Sequence, residues 1–248
     1  MKYSPKQFYN DFPKDKRKQE TLACALFLRP ISFLVSSLFV LFGVGANTAS
    51  IISLFFSLSS CGLIVGCIFS GIDLLFYLSI ACFFIWGVLD CVDGNIARSI
   101  KKEKYGDFLD AIAGYIYPGF FFVLFGMLSY FTNDVIFCHP QLWVVVLSSM
   151  AGVGTITLLL ANKKFSENKL AYESCEKVVG KKTTNPFVSF AKRMWSEISF
   201  GGLMPFVFLF SFIFRFTRIV VIFYSICFLL LFFVGLFYLL YQTIKANK

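Results

Sequence analysis

The stretch LLFYLSIACFFIWGVLDCVDGNIAR, residues 74–98, decides how the chain is read. Its first part is apolar enough to cross a bilayer, which takes about 20 such residues in a helix. Its second part carries Asp90 and Asp93, although an aspartate inside a membrane helix costs on the order of 2.5–3.5 kcal/mol. Tyr105-Gly106-Asp107-Phe108-Leu109-Asp110 follows and opens the next apolar run with two more. A cost of that size calls for a function. Asp90, Asp93, Gly94, Ala97 and Arg98 recur at i, i+3, i+4, i+7 and i+8, so they share one helix face. The connection Ser99 to Tyr105 lets the next helix fold back beside the first. Asp90 stands 16 residues after Leu74, roughly 24 Å along a helix rising 1.5 Å per residue. With hydrocarbon about 30 Å thick, the carboxylates lie a turn or two beneath the cytosolic surface, in a polar notch.

The rest of the chain suits this setting. Of 248 residues, 58% are hydrophobic, 19% aromatic and only 15% charged, with a mean hydropathy of +0.75. Soluble domains carry roughly 25% charge, and disordered chains far less apolar surface. A cytosolic enzyme, a disordered tail and a secreted disulfide scaffold are excluded. Apolar runs predict an all-α integral membrane protein with six transmembrane helices, at about 47–69, 74–97, 106–131, 141–162, 200–216 and 219–241. Ile31 to Phe42 is too short to cross and reads as an interfacial amphipathic helix preceding them, with Pro30 suiting its start. The predicted organisation is a cytoplasmic N-terminal segment 1–27, a membrane domain 28–242 with a cytoplasmic loop 163–199, and a cytoplasmic tail 243–248.

The basic residues set the orientation. With the N-terminus inside, 21 of the 23 Lys and Arg fall in cytoplasmic segments. Retention of cations on the inner side explains this asymmetry, so the net charge of +9 needs no nucleic acid as a partner. Arg215 and Arg218 fall in an outer turn and are expected to snorkel to headgroups. The loop from Lys163 to Arg193 is a solvated segment drawn to anionic lipids, or a lid or acceptor-binding element over a cytosolic site. The cysteines at 24, 61, 67, 82, 91, 138, 175 and 227 form no CxxC pair and read as small buried hydrophobes. His139 is the sole histidine, with no second imidazole to share a metal.

Clustered carboxylates are hard oxygen ligands that suit Mg²⁺, Mn²⁺ or Ca²⁺ and not zinc. Gly94 and Ala97 leave room for a flat group or a phosphate against the backbone, and Arg98 adds a fork that matches phosphate.

These residues resemble the signature of the CDP-alcohol phosphotransferases, D-x2-D-G-x2-A-R, a spacer of about eight, then G-x3-D-x3-D. Asp90, Asp93, Gly94, Ala97, Arg98, Gly106 and Asp110 match it, with a spacer of seven. Gly45-Ala46-Asn47-Thr48-Ala49-Ser50 echoes the family's Gly then Pro-Asn-x-x-Thr, without the proline. The resemblance implies transfer of a substituted phosphoryl group, in some members phosphatidyl, from a CDP-alcohol to an acceptor alcohol with release of CMP. It implies Mg²⁺ or Mn²⁺ held by Asp90, Asp93 and Asp110, and substrate contacts from Gly94, Ala97, Arg98, Asn47 and Ser50. The pathway implied is phospholipid or polyol-phosphate lipid synthesis, the site faces the cytoplasm among membrane lipids, and a homodimer is compatible. Either donor or acceptor is the lipid.

One place departs. Gly114 stands where the family carries its last aspartate, to which a general-base and metal-holding role is ascribed. Asp110 and Asp107 are then the catalytic candidates, although Asp107 also reads as a solvated charge favoured by a helix N-terminus. Two rival readings follow: a catalytically impaired member that binds nucleotide or lipid, and a divalent-cation transporter. Transporter sites usually lie at the bilayer midplane, whereas these aspartates lie near one face.

Overall fold

The computed structural model describes residues 3–100, 103–132, 134–135, 139–173 and 202–246. Among them the regular structure is helical, without strands: α1 (Pro5–Asp11), α2 (Lys14–Gln19), a π-helical turn (Cys24–Leu28), α3 (Arg29–Leu41), α4 (Ala46–Ser70), α5 (Asp73–Ser99), α6 (Gly106–Phe131), α7 (Leu142–Glu173), α8 (Met204–Ile213) and α9 (Thr217–Ala246). Among the described residues six stretches are long and apolar enough to cross a membrane: Cys24–Leu41, Ala46–Ser70, Asp73–Ser99, Ala111–Phe131, Leu142–Phe165 and Thr217–Ile244. The protein is therefore an all-α, multi-pass membrane protein whose six apolar helices are preceded by α1 and α2.

The membership of the six differs from the sequence reading at two places. The helix expected at 31–42 starts at Cys24 and runs unbroken to Leu41. Pro30 lacks an N–H, and its ring would press on the carbonyl four residues earlier. The chain accommodates it by widening: the Arg29 N–H bonds to Cys24 O, five residues back. Conversely, the span expected at 200–216 holds, among the described residues, only the 10-residue α8. Arg215 adopts a left-handed φ of +56° and turns the chain there. Of the hydrophilic 163–199 segment, the part to Glu173 continues α7, and 174–199 lies outside the described residues.

The chain divides into two compact units, Met1–Tyr117 with Pro186–Ile213, and Pro118–Asn185 with Phe214–Lys248. In the first, α4 and α5 form an antiparallel hairpin. Gly71 ends α4 at φ +69°, a left-handed cap that glycine takes without strain. Lipid gives no hydrophobic drive between helices, so close approach and hydrogen bonds must hold them. Ser50, Ser53, Ser57 and Ser60 line the buried face of α4. Ser60 Oγ meets Ser79 O at 3.0 Å, and Ser50 Oγ meets Asp93 Oδ2 at 2.6 Å. At the Asp93 end, Ala46, Ala49, Val92 and Ile96 close a small apolar core with Val35 and Phe39 of α3. Phe76 of α5 stacks on Phe212 of α8, ring centres 3.9 Å apart.

In the second unit α7 packs against α9, with the ring of Phe232 over Gly154 and Leu158 over Gly235. Arg218 overturns its expected snorkelling, being only 2% exposed. Its guanidinium donates to Ser129 O at 2.8 and 3.1 Å, to Thr132 O at 3.3 Å and to His139 O at 2.8 Å. The last carbonyls of a helix have no partner within it. Arg218 caps those at the end of α6 from a neighbouring helix, which explains a cation where headgroup contact was expected.

Candidate functional site

The signature face is built on the last three turns of α5. Asp93, 8% exposed, is held against α4 by the Ser50 hydroxyl, itself 3% exposed. Ser50 therefore meets a carboxylate in this structure. Asp90, one turn earlier and half-buried, lines a cavity of about 110 Å³ with Cys24, Leu28, Trp86 and Phe206. The two carboxylates thus have different neighbours. Asp107 and Asp110 fall in the first turn of α6, but their side chains lie outside the described residues. Among the described residues no three His, Cys, Asp or Glu side chains gather around a common point. Among the described residues nothing stands within 4 Å of where a Cβ on Gly114 would fall.

Gly94 and Arg98 belong together. A Cβ on Gly94 would stand 3.0 Å from Arg98 Nη1, so the missing side chain makes room for the guanidinium folding back along α5. Ala97 packs on the apolar core beneath. Asn47 opens α4, and its backbone N–H donates to Glu103 Oε2 at 3.0 Å. The carboxylate thereby sits on the positive end of that helix. Glu103 also lies where a Cβ on Gly45 would fall. The side-chain oxygen of Asn47 is buried with no donor among the described residues, and it faces Gly106. A buried acceptor in that condition is waiting for a donor.

Asn95, which the sequence reading passed over, is the hub of this end of α5. It is 2% exposed, and its Nδ2 donates to Ser32 Oγ at 3.1 Å and Ser36 Oγ at 3.2 Å on α3. Its Oδ1 accepts from Arg98 Nη2 at 2.9 Å and from Arg29 Nη1 at 3.3 Å. Arg29 also pairs with Glu20. Phe12 lies against both cations, its ring centre 4.3 Å from the Arg29 guanidinium carbon and 5.2 Å from that of Arg98. The signal for Asn95 was in the sequence, since an amide inside an apolar helix needs partners. Arg29 and Glu103 carried no local signal, as their partners lie 66 and 56 residues away.

The family model for CDP-alcohol phosphatidyltransferase matches residues 46–244. The chain belongs to that family. No curated protein and no solved structure gives a match. Membership carries the reaction type, transfer of a phosphoryl group from a CDP-alcohol donor to an alcohol acceptor. The matched residues hold Asp90, Asp93, Gly94, Ala97, Arg98, Gly106 and Asp110, together with Asn47 and Ser50. They leave out α1, α2, the π-helical turn and α3, and so leave out Phe12, Glu20 and Arg29.

Proposed function

We propose that this CDP-alcohol phosphatidyltransferase family member moves a substituted phosphoryl group, phosphatidyl included, from a CDP-alcohol to an acceptor alcohol. CMP is released, in phospholipid or polyol-phosphate lipid synthesis, at a site facing the cytoplasm. The observation that carries the reading is Asp93, a buried carboxylate keyed to α4 by Ser50, one turn before Arg98 on the face that holds the family signature.

The donor set fits a hard divalent cation in kind, with carboxylate oxygens at Asp90 and Asp93 on successive turns of α5 and Asp110 opening α6. Those three residues would hold Mg²⁺ or Mn²⁺, which when bound neutralises pyrophosphate charge and favours departure of CMP. The chain's own groups supply the rest. Ser50 fixes the Asp93 carboxylate through Oδ2. Asn47 Oδ1, buried without a donor among the described residues, accepts from the nucleotide. Arg98 steadies a phosphate oxygen from its place over Gly94. The acceptor hydroxyl oxygen bonds to phosphorus as the bond to CMP breaks. Its proton passes to a carboxylate of Asp110 or Asp107, since Gly114 offers none.

Purified protein in detergent, given Mg²⁺ or Mn²⁺ and a panel of CDP-alcohols and acceptors, is expected to release CMP only with metal and one acceptor class. Binding of CDP without turnover supports the impaired reading that Gly114 suggests. Cation flux in liposomes without nucleotide affinity supports a transporter.

A further inference from the structure

We propose that Glu103, in the connection between α5 and α6, is a positioning residue that seats the start of α6 on the first turn of α4. Through that seat it registers the carboxylates opening α6 against Asp93. The connection is short and basic, with Lys101, Lys102 and Lys104 around its one acid. Glu103 is half-buried, and its Oε2 accepts the Asn47 N–H at 3.0 Å. The first N–H groups of a helix have no partner within it, and a carboxylate meets both that need and the positive helix end. Gly45 makes room for the seat. The other carboxylate oxygen, Oε1, stands where a Cβ on Gly45 would fall. Gly45 has φ −83° and ψ 173°, extended backbone open to any residue, so what it provides here is space.

The same residue grips both helices. The Glu103 carbonyl accepts the Gly106 N–H at 3.3 Å, at the start of α6. Gly106 in turn lies against α4, since a Cβ on it would stand 3.4 Å from Asn47 Oδ1. Three residues along α4, Ser50 holds Asp93 at 2.6 Å. Positions 47 and 50 share a helix face, so α4 secures the ends of both neighbours one turn apart. It holds α5 through Asp93 itself, and the turn that carries Asp107 and Asp110 through Glu103. Two features of this chain make that hold matter. Its spacer is seven residues where the family pattern has about eight, and Gly114 removes a carboxylate from α6. The acids at the start of α6 then carry its whole share of the ligation. Small divalent ions demand near-ideal geometry, and a misplacement of about 1 Å can cost on the order of a hundredfold in rate. For what the carboxylates bind, the inference rests on the transferase reading; for where α6 begins, it rests on the contacts alone.

Amide hydrogen exchange and Mn²⁺ binding by electron paramagnetic resonance, both on the full chain in detergent, test it. Glu103→Ala is expected to speed exchange at Asn47, Gly106, Phe108 and Leu109 tenfold or more, and to weaken Mn²⁺ about tenfold. Glu103→Gln keeps an oxygen for the Asn47 N–H and is expected to stay within threefold of the wild type in both. Gly45→Ala keeps the charge but closes its seat, and is expected to match Glu103→Ala. The two alanine substitutions together should be no worse than either alone. A Glu103 that acts only as a negative charge near the cation gives another pattern. Glu103→Gln would then lose as much Mn²⁺ affinity as Glu103→Ala, with Gly45→Ala unaffected, and that result overturns the proposal. Additive losses in the double variant overturn it too, as does unchanged Mn²⁺ affinity in Glu103→Ala. If the wild type binds no Mn²⁺, the metal reading falls. Exchange at the start of α6 then decides alone, upholding the seat if Glu103→Ala speeds it and overturning it if not.

Discussion

Arg218 donates to the carbonyls of Ser129, Thr132 and His139, whereas Arg29 and Arg98 meet on one oxygen of Asn95. Both arrangements put cations among apolar helices, and their partners differ in kind. Backbone carbonyls at a helix end need donors whatever the protein does, so Arg218 completes the fold and is buried by it. The pair at Asn95 shares one amide oxygen, which accepts from both cations, and the signature arginine of the pair is exposed. One arginine is enclosed by carbonyls; of the other two, the signature cation is tied through Asn95 to α3 yet stays open to the outside. The distinction can be broken by substitutions that separate stability from chemistry.

The largest effect is expected at the signature itself. Asp93→Asn keeps the shape and can still accept the Ser50 hydroxyl, but it loses a charged metal ligand. CMP release is expected to fall at least about a thousandfold, roughly 4 kcal/mol of transition-state stabilisation, with little change in melting temperature. Retained turnover, measured as CMP against a metal titration, would defeat the assignment. Arg218→Leu should do the reverse. It strands the carbonyls that end α6, and a buried acceptor left without its donor costs about 1–3 kcal/mol. The detergent melting temperature should drop sharply while CMP release per folded molecule holds within about twofold. A selective loss of activity would erase the contrast between the two arginine sites.

Asp93 and Arg218 also show how much the chain disclosed before it was folded. An aspartate in an apolar run is expensive wherever its partners lie, so Asp90 and Asp93 stood out by cost, and the spacing to Arg98 fixed their face. The six apolar helices were legible for the same reason, although Pro30 concealed one start and Arg215 cut another short. The serine face of α4 was silent, because serine is cheap in a helix and reveals itself only when Ser79 and Asp93 come opposite. Arg218 was misread since charge near a helix end has two outlets, headgroups or carbonyls, and only the fold of α6 decides between them. Arg29 was illegible because its meaning lies in Asn95, 66 residues on.

Asn95 sharpens the comparison with a smaller effect. Asn95→Leu removes the oxygen shared by the arginines and leaves Ser32 and Ser36 without the amide. Losing such hydrogen bonds costs about 1 kcal/mol each in stability. If Asn95 only braces α3 against α5, KM for the CDP-alcohol should stay put. If it positions Arg98, KM for the CDP-alcohol should rise about tenfold, with KM for the acceptor moving far less. Steady-state kinetics varying one substrate at a time separates the two.

Gly114→Asp is expected to give the smallest change and runs in the opposite direction. Among the described residues a Cβ there meets nothing within 4 Å. Position 114 lies seven residues beyond 107, about 10 Å along α6 at 1.5 Å per residue, so Asp107 cannot occupy the same point in the notch. A general base contributes some 10²- to 10⁴-fold where nothing replaces it. With Asp110 one turn away, only part of that remains to be gained, and kcat should rise about three- to tenfold. A flat or reduced kcat in a protein that elutes and melts like the wild type would show that proton removal is already supplied. Asp110→Asn in the Gly114→Asp background then identifies the supplier: if the new aspartate has become the base, the double variant retains more turnover than Asp110→Asn alone.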